Sequence, residues 1–446
     1  MRQAHGPAPV QTPGIGAQNE TKDNETCGGC AYMIWNSLWL RFIGNLLSQK
    51  GRGEDFHIIS ASPGARRFSW YCGVDSYSRK AQKRGYSIEK VIVIHRHGDR
   101  APVTMKESKW EEKTCVSCVR GDRGSIGPCG ERKCESGDLT VKGYEQLKKL
   151  GRFVKEQYGT LLGDTDGSLS EIDMRATAAP RTYSSLFGLV NGIKRTEHLE
   201  YVNIPADDSL LVPESCRRLN EVMKAQGRER YKSINTSKRA FDPMKTADNY
   251  WTHMCNDVAI NCNVLDCSEK TIWEYLDASS SIWKEQAKVV NENESILRIL
   301  FGKFAGELAE IIVSDTRVHI YSVHDGSLSS VLAGLGARVY ERPPYGSAIF
   351  IERWTDKKND KFVRVVYNNR VCRTLIDGDT NIPLDKFLRK SILGEPAWPP
   401  VGPLQMLWRQ FPLASVVVKD FIHRERERTP EKINGRYQDT CVTHSS

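Results

Sequence analysis

Three short polar segments hold the residue types that chemistry on a phosphate would need. "RHGDRAP" places Arg96, His97, Asp99 and Arg100 directly after the apolar run "VIVIH". "DMRATAAPRT" places Arg175 and Arg181 around a helix start, and "YSVHDGS" places His324 and Asp325 after a second apolar run. Guanidinium groups grip phosphate with two parallel hydrogen bonds, an imidazole can attack phosphorus, and a carboxyl group can protonate a leaving alcohol. Gly98 is expected to let an anion approach the backbone.

Magnitude sets how many such groups are required. Hydrolysis of a phosphate monoester calls for accelerations of up to ~10²¹-fold, whereas one positioned acid or base gives about 10²- to 10⁴-fold. A lone histidine is not enough. An arginine cage, together with a covalent step that divides the reaction in two, is the minimum the chemistry suggests. Two neighbours receive structural readings: His95 as a packed, hydrogen-bonded histidine, and Asp99 as the partner of an arginine.

The elements that must position these groups follow from hydrophobic pattern. "VIVIH" and "VHIYSV" are apolar without alternation, as expected of strands buried on both faces. "TVKGYEQLKKLGRFVKEQYG" has helical spacing, "PRTYSSLFGLVNGI" is a helix with Pro180 in its first turn, and "SLSSVLAGLG" is a helix ended by Gly336. "AIFIERW" and "KFVRVVYN" form a hairpin across "TDKKND". Residues from about 200 to 310 read as a mostly helical insertion. An α/β fold results, with a mixed sheet flanked by helices and a helical, cysteine-rich cap. Ligands of open α/β sheets bind beyond the carboxyl ends of the strands, so the first and third polar segments should share one crevice. The pair Trp273 and Trp283 is read as core rather than as a platform for a sugar.

The chain has 446 residues, 39% hydrophobic and 27% charged, which excludes global disorder. Its net charge of +9 is spread along the chain and leans toward anionic partners. Residues 1–26 read as disordered, 27–47 as an apolar segment in contact with a membrane, and 48–85 as a polar stem. Within "CAYMIWNSLWLRFIGNLL", residues 30–47, Asn36, Arg41 and Asn45 are too polar for a clean transmembrane helix. A weak signal anchor, an interfacial helix and a buried helix all stay open there. Thirteen cysteines and the sequons at Asn19, Asn24, Asn235 and Asn293 point to the secretory pathway. Cys115, Cys118, Cys129 and Cys134 imitate a zinc ribbon, but their uneven spacing favours disulfides, as do Cys255, Cys262 and Cys267. The "RERERTPEK" run is read as a solvated helix end.

"RHGDRAP" matches the RHGxRxP signature of the histidine acid phosphatases, and the His-Asp of "YSVHDGSLSSVLAGLG" matches their second signature. The resemblance spans roughly residues 86–446, through "PPYGSAIFIERW". It implies that His97 becomes a phosphohistidine, that Arg96, Arg100, Arg175 and His324 hold the phosphoryl oxygens, and that Asp325 protonates the leaving alcohol. It implies neither metal nor cofactor, and no nucleic acid partner. "RATAAPRT" lacks the Ser-Thr-Asp residues often found between the family's two arginines. "YWTHMCNDVAINCNVLDC", "KCESGDLTVKGYEQL" and "IPLDKF" resemble the 2-phosphoxylose phosphatases, which act on the glycosaminoglycan linkage region of proteoglycans in the Golgi. The expected substrate is accordingly a phosphorylated glycan, in the Golgi lumen. A broad-specificity secreted or lysosomal acid phosphatase is the alternative. A silent glycan-binding protein of this fold is a second, against which the retention of His97 and Asp325 argues. The resemblance also implies a Cys216–Cys441 disulfide.

Overall fold

The run "VIVIH" lies at the centre of the main sheet. The computed structural model describes residues 56–78, 85–104, 109–163, 169–206, 208–210, 243–374 and 380–393. The readings made for residues 1–47, the Cys216–Cys441 pair, the sequons at Asn19, Asn24 and Asn235, and the "RERERTPEK" run lie outside the described residues.

A short strand, β1 (Phe56–His57), precedes the long central strand β2 (Tyr86–Arg96). A small sheet follows, built from β3 (Thr114–Arg120), β4 (Ile126–Lys133) and β5 (Leu139–Thr140). Next come α1 (Val141–Tyr158), β6 (Ile172–Ala176) and α2 (Pro180–Ile193). The insertion supplies α3 (Pro243–Asn256), β7 (Ile260–Asn261) and α4 (Glu269–Glu292). The remaining elements are α5 (Glu294–Val313), β8 (Val318–Val323), α6 (Asp325–Gly334), β9 (Ala348–Asp356), β10 (Lys361–Tyr367), β11 (Arg370–Val371), β12 (Ile382–Pro383) and α7 (Leu384–Leu393). The main sheet runs in the order β11-β10-β9-β2-β8-β6, with β12 also on β10. β2, β8 and β6 are parallel, while β9 and β10 form the expected antiparallel hairpin.

Alternation along β2 divides the core. Val91 and Val93 pack with Leu147 and Leu150 of α1 and with Leu186 and Val190 of α2. Ile92 and Ile94 face the other way, onto Phe304, Leu308 and Ile312 of α5 and Leu328 of α6. Each fully buried aliphatic side chain contributes about 1.5–3 kcal/mol, which is why a strand apolar on both faces takes the middle of the sheet. Thr140 caps α1 by accepting the Gly143 N–H at 3.0 Å, and Pro180 opens α2 as expected. α6 begins two residues before the predicted start, which places Asp325 in its first turn, and Gly336 beyond its end has φ 70°.

Two boundaries are corrected. Residues 56–78 are not a stem: Ile59, Phe68 and Tyr71 are buried against Tyr250, Trp251, Ile272 and Leu276 of the cap, and Cys72 is bonded to Cys255. Apolar side chains every few residues, hidden in a basic stretch, account for the difference. The cap also ends near residue 292 rather than 310, because α5 lies on the sheet. The predicted cysteine-rich segment forms β3 and β4, closed by Cys115–Cys134 and Cys118–Cys129 disulfides, and Cys262–Cys267 cross-links the cap. Trp273 stacks on Phe68 with ring centroids 5.6 Å apart, as a packed residue does. Among the described residues no helix is long and apolar enough to cross a membrane.

Candidate active site

Parallel pairing of β2 with β8 sets Arg96 opposite Val323, so that His97 and His324 leave adjacent strand ends together. Their rings lie 5.5 Å apart, centroid to centroid, and the His97 N–H donates to the Val323 carbonyl at 3.0 Å. The first and third polar segments therefore share one crevice. Gly98 serves a purpose other than the one expected of it. A Cβ there would lie 2.2 Å from the Gly143 carbonyl oxygen, so the glycine allows the loop to pack on α1.

His97 is held in a state suited to attack. Its Nδ1 lies 2.8 Å from the Gly98 carbonyl oxygen, which can only accept, so Nδ1 carries the proton and Nε2 keeps its lone pair. Nε2 has no hydrogen-bond partner among the described residues. Burial, reinforced by the charges of Arg181, Arg96 and Arg100 and by His324, holds the ring well below the ordinary histidine range. The imidazole stays neutral in a cationic field that would attract a phosphate dianion.

The arginines divide into distinct roles. Arg96 is buried between the faces of Tyr345 (4.2 Å) and Tyr71 (5.0 Å), and donates to the Pro343 carbonyl at 2.6 Å and the Tyr71 hydroxyl at 2.8 Å. Arg100 makes a bidentate pair with Asp248 of α3, at 2.8 and 3.1 Å. Arg181, in the first turn of α2, makes no ion pair among the described residues and donates to His324 Nδ1 at 3.4 Å. Burial and repulsion from Arg100 press its guanidinium down to about 10, against the pull of Asp325.

Arg175, expected to hold phosphate, is a correction. Its nitrogens are engaged by Asp208, by Glu307 at 2.8 Å and by Ser209 at 3.0 Å. Met174 and Ala176 of β6 face α1 and α2, so Arg175 points to the opposite face, where α5 supplies Glu307. Arg181, named in the sequence only as a flanking residue, is the arginine whose charge acts most strongly on both His97 and His324, ahead of Arg96 and Arg100.

Asp325 accepts from Arg342 Nε at 2.9 Å and pairs with Arg96 at 3.1 Å. Burial alone would raise its pKa, but Arg96 and Arg342 outweigh burial and hold the carboxyl far below the usual carboxylate range. His324 bonds to Thr177 Oγ1 through Nε2 at 3.0 Å, and burial with the Arg181 charge lowers it to about 3. His95 is buried and neutral, its Nδ1 3.2 Å from the Arg96 carbonyl oxygen. Among the described residues Asp99 has no arginine partner, contrary to expectation. It accepts from Thr140 at 2.9 Å and Asn256 at 2.7 Å, and burial pushes it up to about 6. The sequence did not single out Arg342, Asp248, Tyr71 or Tyr345; each is distant in the chain from the group it touches.

Comparison with known proteins bears on the family of the chain. Residues 87–303 match the model of the histidine phosphatase superfamily, branch 2. Counting factor 60 of Dictyostelium discoideum is 21% identical over 382 residues, 72% of this chain and 89% of that one. The 2-phosphoxylose phosphatase 1 of Xenopus tropicalis is 22% identical, covering 62% of this chain and 67% of its own. The prostatic acid phosphatase of Mus musculus is 22% identical, with 67% and 84% covered. Residues 87–303 thus belong to the histidine phosphatase superfamily, branch 2, and the chain is a phosphoric monoester hydrolase.

Proposed function

We propose that this phosphatase works through a phosphohistidine on His97. The observation that carries the reading is the fixed tautomer of His97, with an unprotonated, unbonded Nε2 beside Arg96, Arg100 and Arg181. Nε2 attacks phosphorus, the bond from phosphorus to the ester oxygen breaks, and Asp325 delivers a proton to the departing alkoxide. Water then attacks the phosphohistidine while Asp325 takes a proton, which releases inorganic phosphate and restores Nε2. Arg96 and Arg100 hold phosphoryl oxygens with His324, and Arg181 takes the place first given to Arg175. Phosphate bound to Arg96 weakens that arginine's hold on Asp325, and so favours protonation of the acid when substrate is present. No step calls for a metal.

The substrate we propose is a phosphorylated glycan, with removal of the 2-phosphate of xylose in a proteoglycan linkage region, in the Golgi lumen. The resemblance of the cap segments, the net basic charge, the disulfides and the relative named 2-phosphoxylose phosphatase 1 support this reading. An equal identity to a prostatic acid phosphatase supports a broader phosphomonoesterase, secreted or lysosomal. Competition between a phosphoxylosyl linker oligosaccharide and an aryl phosphate separates the two. A strong preference for the oligosaccharide is expected, and equal kcat/KM values would favour the broad enzyme.

A further inference from the structure

Arg342 lies against Asp325, the acid of the mechanism above, and no part of that mechanism uses it to bind substrate. Its guanidinium lies between the faces of Tyr71 at 4.8 Å and Trp283 at 5.1 Å, which leaves only its edges for hydrogen bonding. Nε and Nη2 both meet the same Asp325 oxygen, each at 2.9 Å, while Nη1 has no partner among the described residues. Both side chains keep some exposure, 14% for Arg342 and 18% for Asp325, whereas Arg96, which meets the same Asp325 oxygen, has 1%. Of the two arginines that clamp the acid, Arg342 is therefore the more accessible. It meets the carboxyl oxygen of the residue assigned above as the acid. The neighbouring Glu341 is turned toward Lys284 of α4, 3.8 Å away, rather than toward Arg342.

We propose that Arg342 is an anion-recognition residue for the leaving half of the substrate, and that this enzyme prefers phosphomonoesters whose alcohol carries a second negative group near the scissile ester. This rests on the phosphatase reading of the same site and not on the phosphoxylose one, because xylose 2-phosphate carries no second anionic group of its own. A carboxylate, sulfate or second phosphate on the alcohol takes the in-plane donors of Arg342 and draws that guanidinium off Asp325. The aromatic faces on either side hold the guanidinium plane in place, which suits bidentate recognition of such a group. An uncharged alcohol leaves Arg342 on Asp325, where it opposes protonation of the acid.

The test uses the full chain and two alkyl phosphates that differ at one group, 2-phosphoglycerate and glycerol 2-phosphate. A charge-assisted pair at a partly exposed site predicts a kcat/KM ratio of roughly ten or more in favour of the carboxylate substrate. Arg342→Gln should bring that ratio close to one. Arg342→Lys, which keeps the charge but not the fork, should retain an intermediate ratio and serves if the glutamine variant does not fold. A wild-type ratio near one, or an unchanged ratio in both variants, overturns the proposal while aryl phosphate turnover leaves the phosphatase reading intact. A wild-type chain that hydrolyses neither these substrates nor an aryl phosphate overturns both.

Discussion

Replacing Arg181 and Arg175 in parallel separates a phosphate ligand from a structural ion pair. Each charge-assisted hydrogen bond to phosphate contributes about 1.5–3 kcal/mol, and a guanidinium can make two of them to one phosphoryl group. Arg181 makes no ion pair among the described residues, so little of this is offset by contacts already present. Arg181→Ala should therefore lower kcat/KM for an aryl phosphate roughly 10²- to 10⁴-fold, with little change in Tm. Arg175→Met strands Asp208, whose side chain is fully buried, beside Glu307. Breaking a buried pair in this way costs about 3–5 kcal/mol, or about 5–8 °C in Tm for a folded unit of roughly 300 residues. Its kcat/KM per folded molecule should stay within about threefold of wild type by this reasoning. Steady-state kinetics normalised to folded protein, with thermal unfolding of the same samples, reads both effects. The reasoning fails if Arg175→Met loses activity at unchanged Tm while Arg181→Ala remains active.

Asp325→Asn should still accept phosphate from an aryl ester, whose leaving group needs no proton, but lose alkyl phosphate turnover by about 10²- to 10⁴-fold. Equal losses in the burst of aryl alcohol and in alkyl turnover would remove Asp325 from the role of acid. Stability should also depend on pH. Burial holds His95 and His253 at about 4, His324 at about 3, and His97 well below 6.5. The folded chain then binds fewer protons than the unfolded one, so stability is complete above pH 6.5 and declines as pH falls toward the folded values. The slope is about 1 kcal/mol per histidine for each pH unit, opposed in part by Asp99. Without phosphate, Tm should fall between pH 7 and 4.5, and a flat or rising Tm would contradict the buried neutral histidines.

The elements that build the crevice were legible because their signals are local. "VIVIH" and "VHIYSV" are apolar on both faces, and only the middle of a sheet buries a strand twice; their parallel pairing then brings His97 beside His324. Pro180 marked the helix start that carries Arg181. The assignment of Arg175 failed on a local rule, since a strand sends alternate side chains to opposite faces and Arg175 shares its face with Asp173, not with Met174. The partners of the cage were not legible at all. Tyr71 reaches Arg96 because Cys72 ties its segment to α3, and Asp248 meets Arg100 from 148 residues away. Such contacts depend on how the cap sits on the sheet, which no spacing in the sequence encodes. The tautomer of His97 was likewise hidden, because it follows from the direction of a backbone carbonyl.

The central claim is a covalent bond between phosphorus and His97 Nε2. Rapid quenching of the enzyme during turnover of a phosphorus-labelled aryl phosphate, followed by digestion under alkaline conditions that preserve phosphohistidine, locates the label. The account predicts one acid-labile phosphate on His97, attached at Nε2, and none in His97→Ala, which should also lose turnover. Label on another residue, or full turnover by His97→Ala, would contradict it.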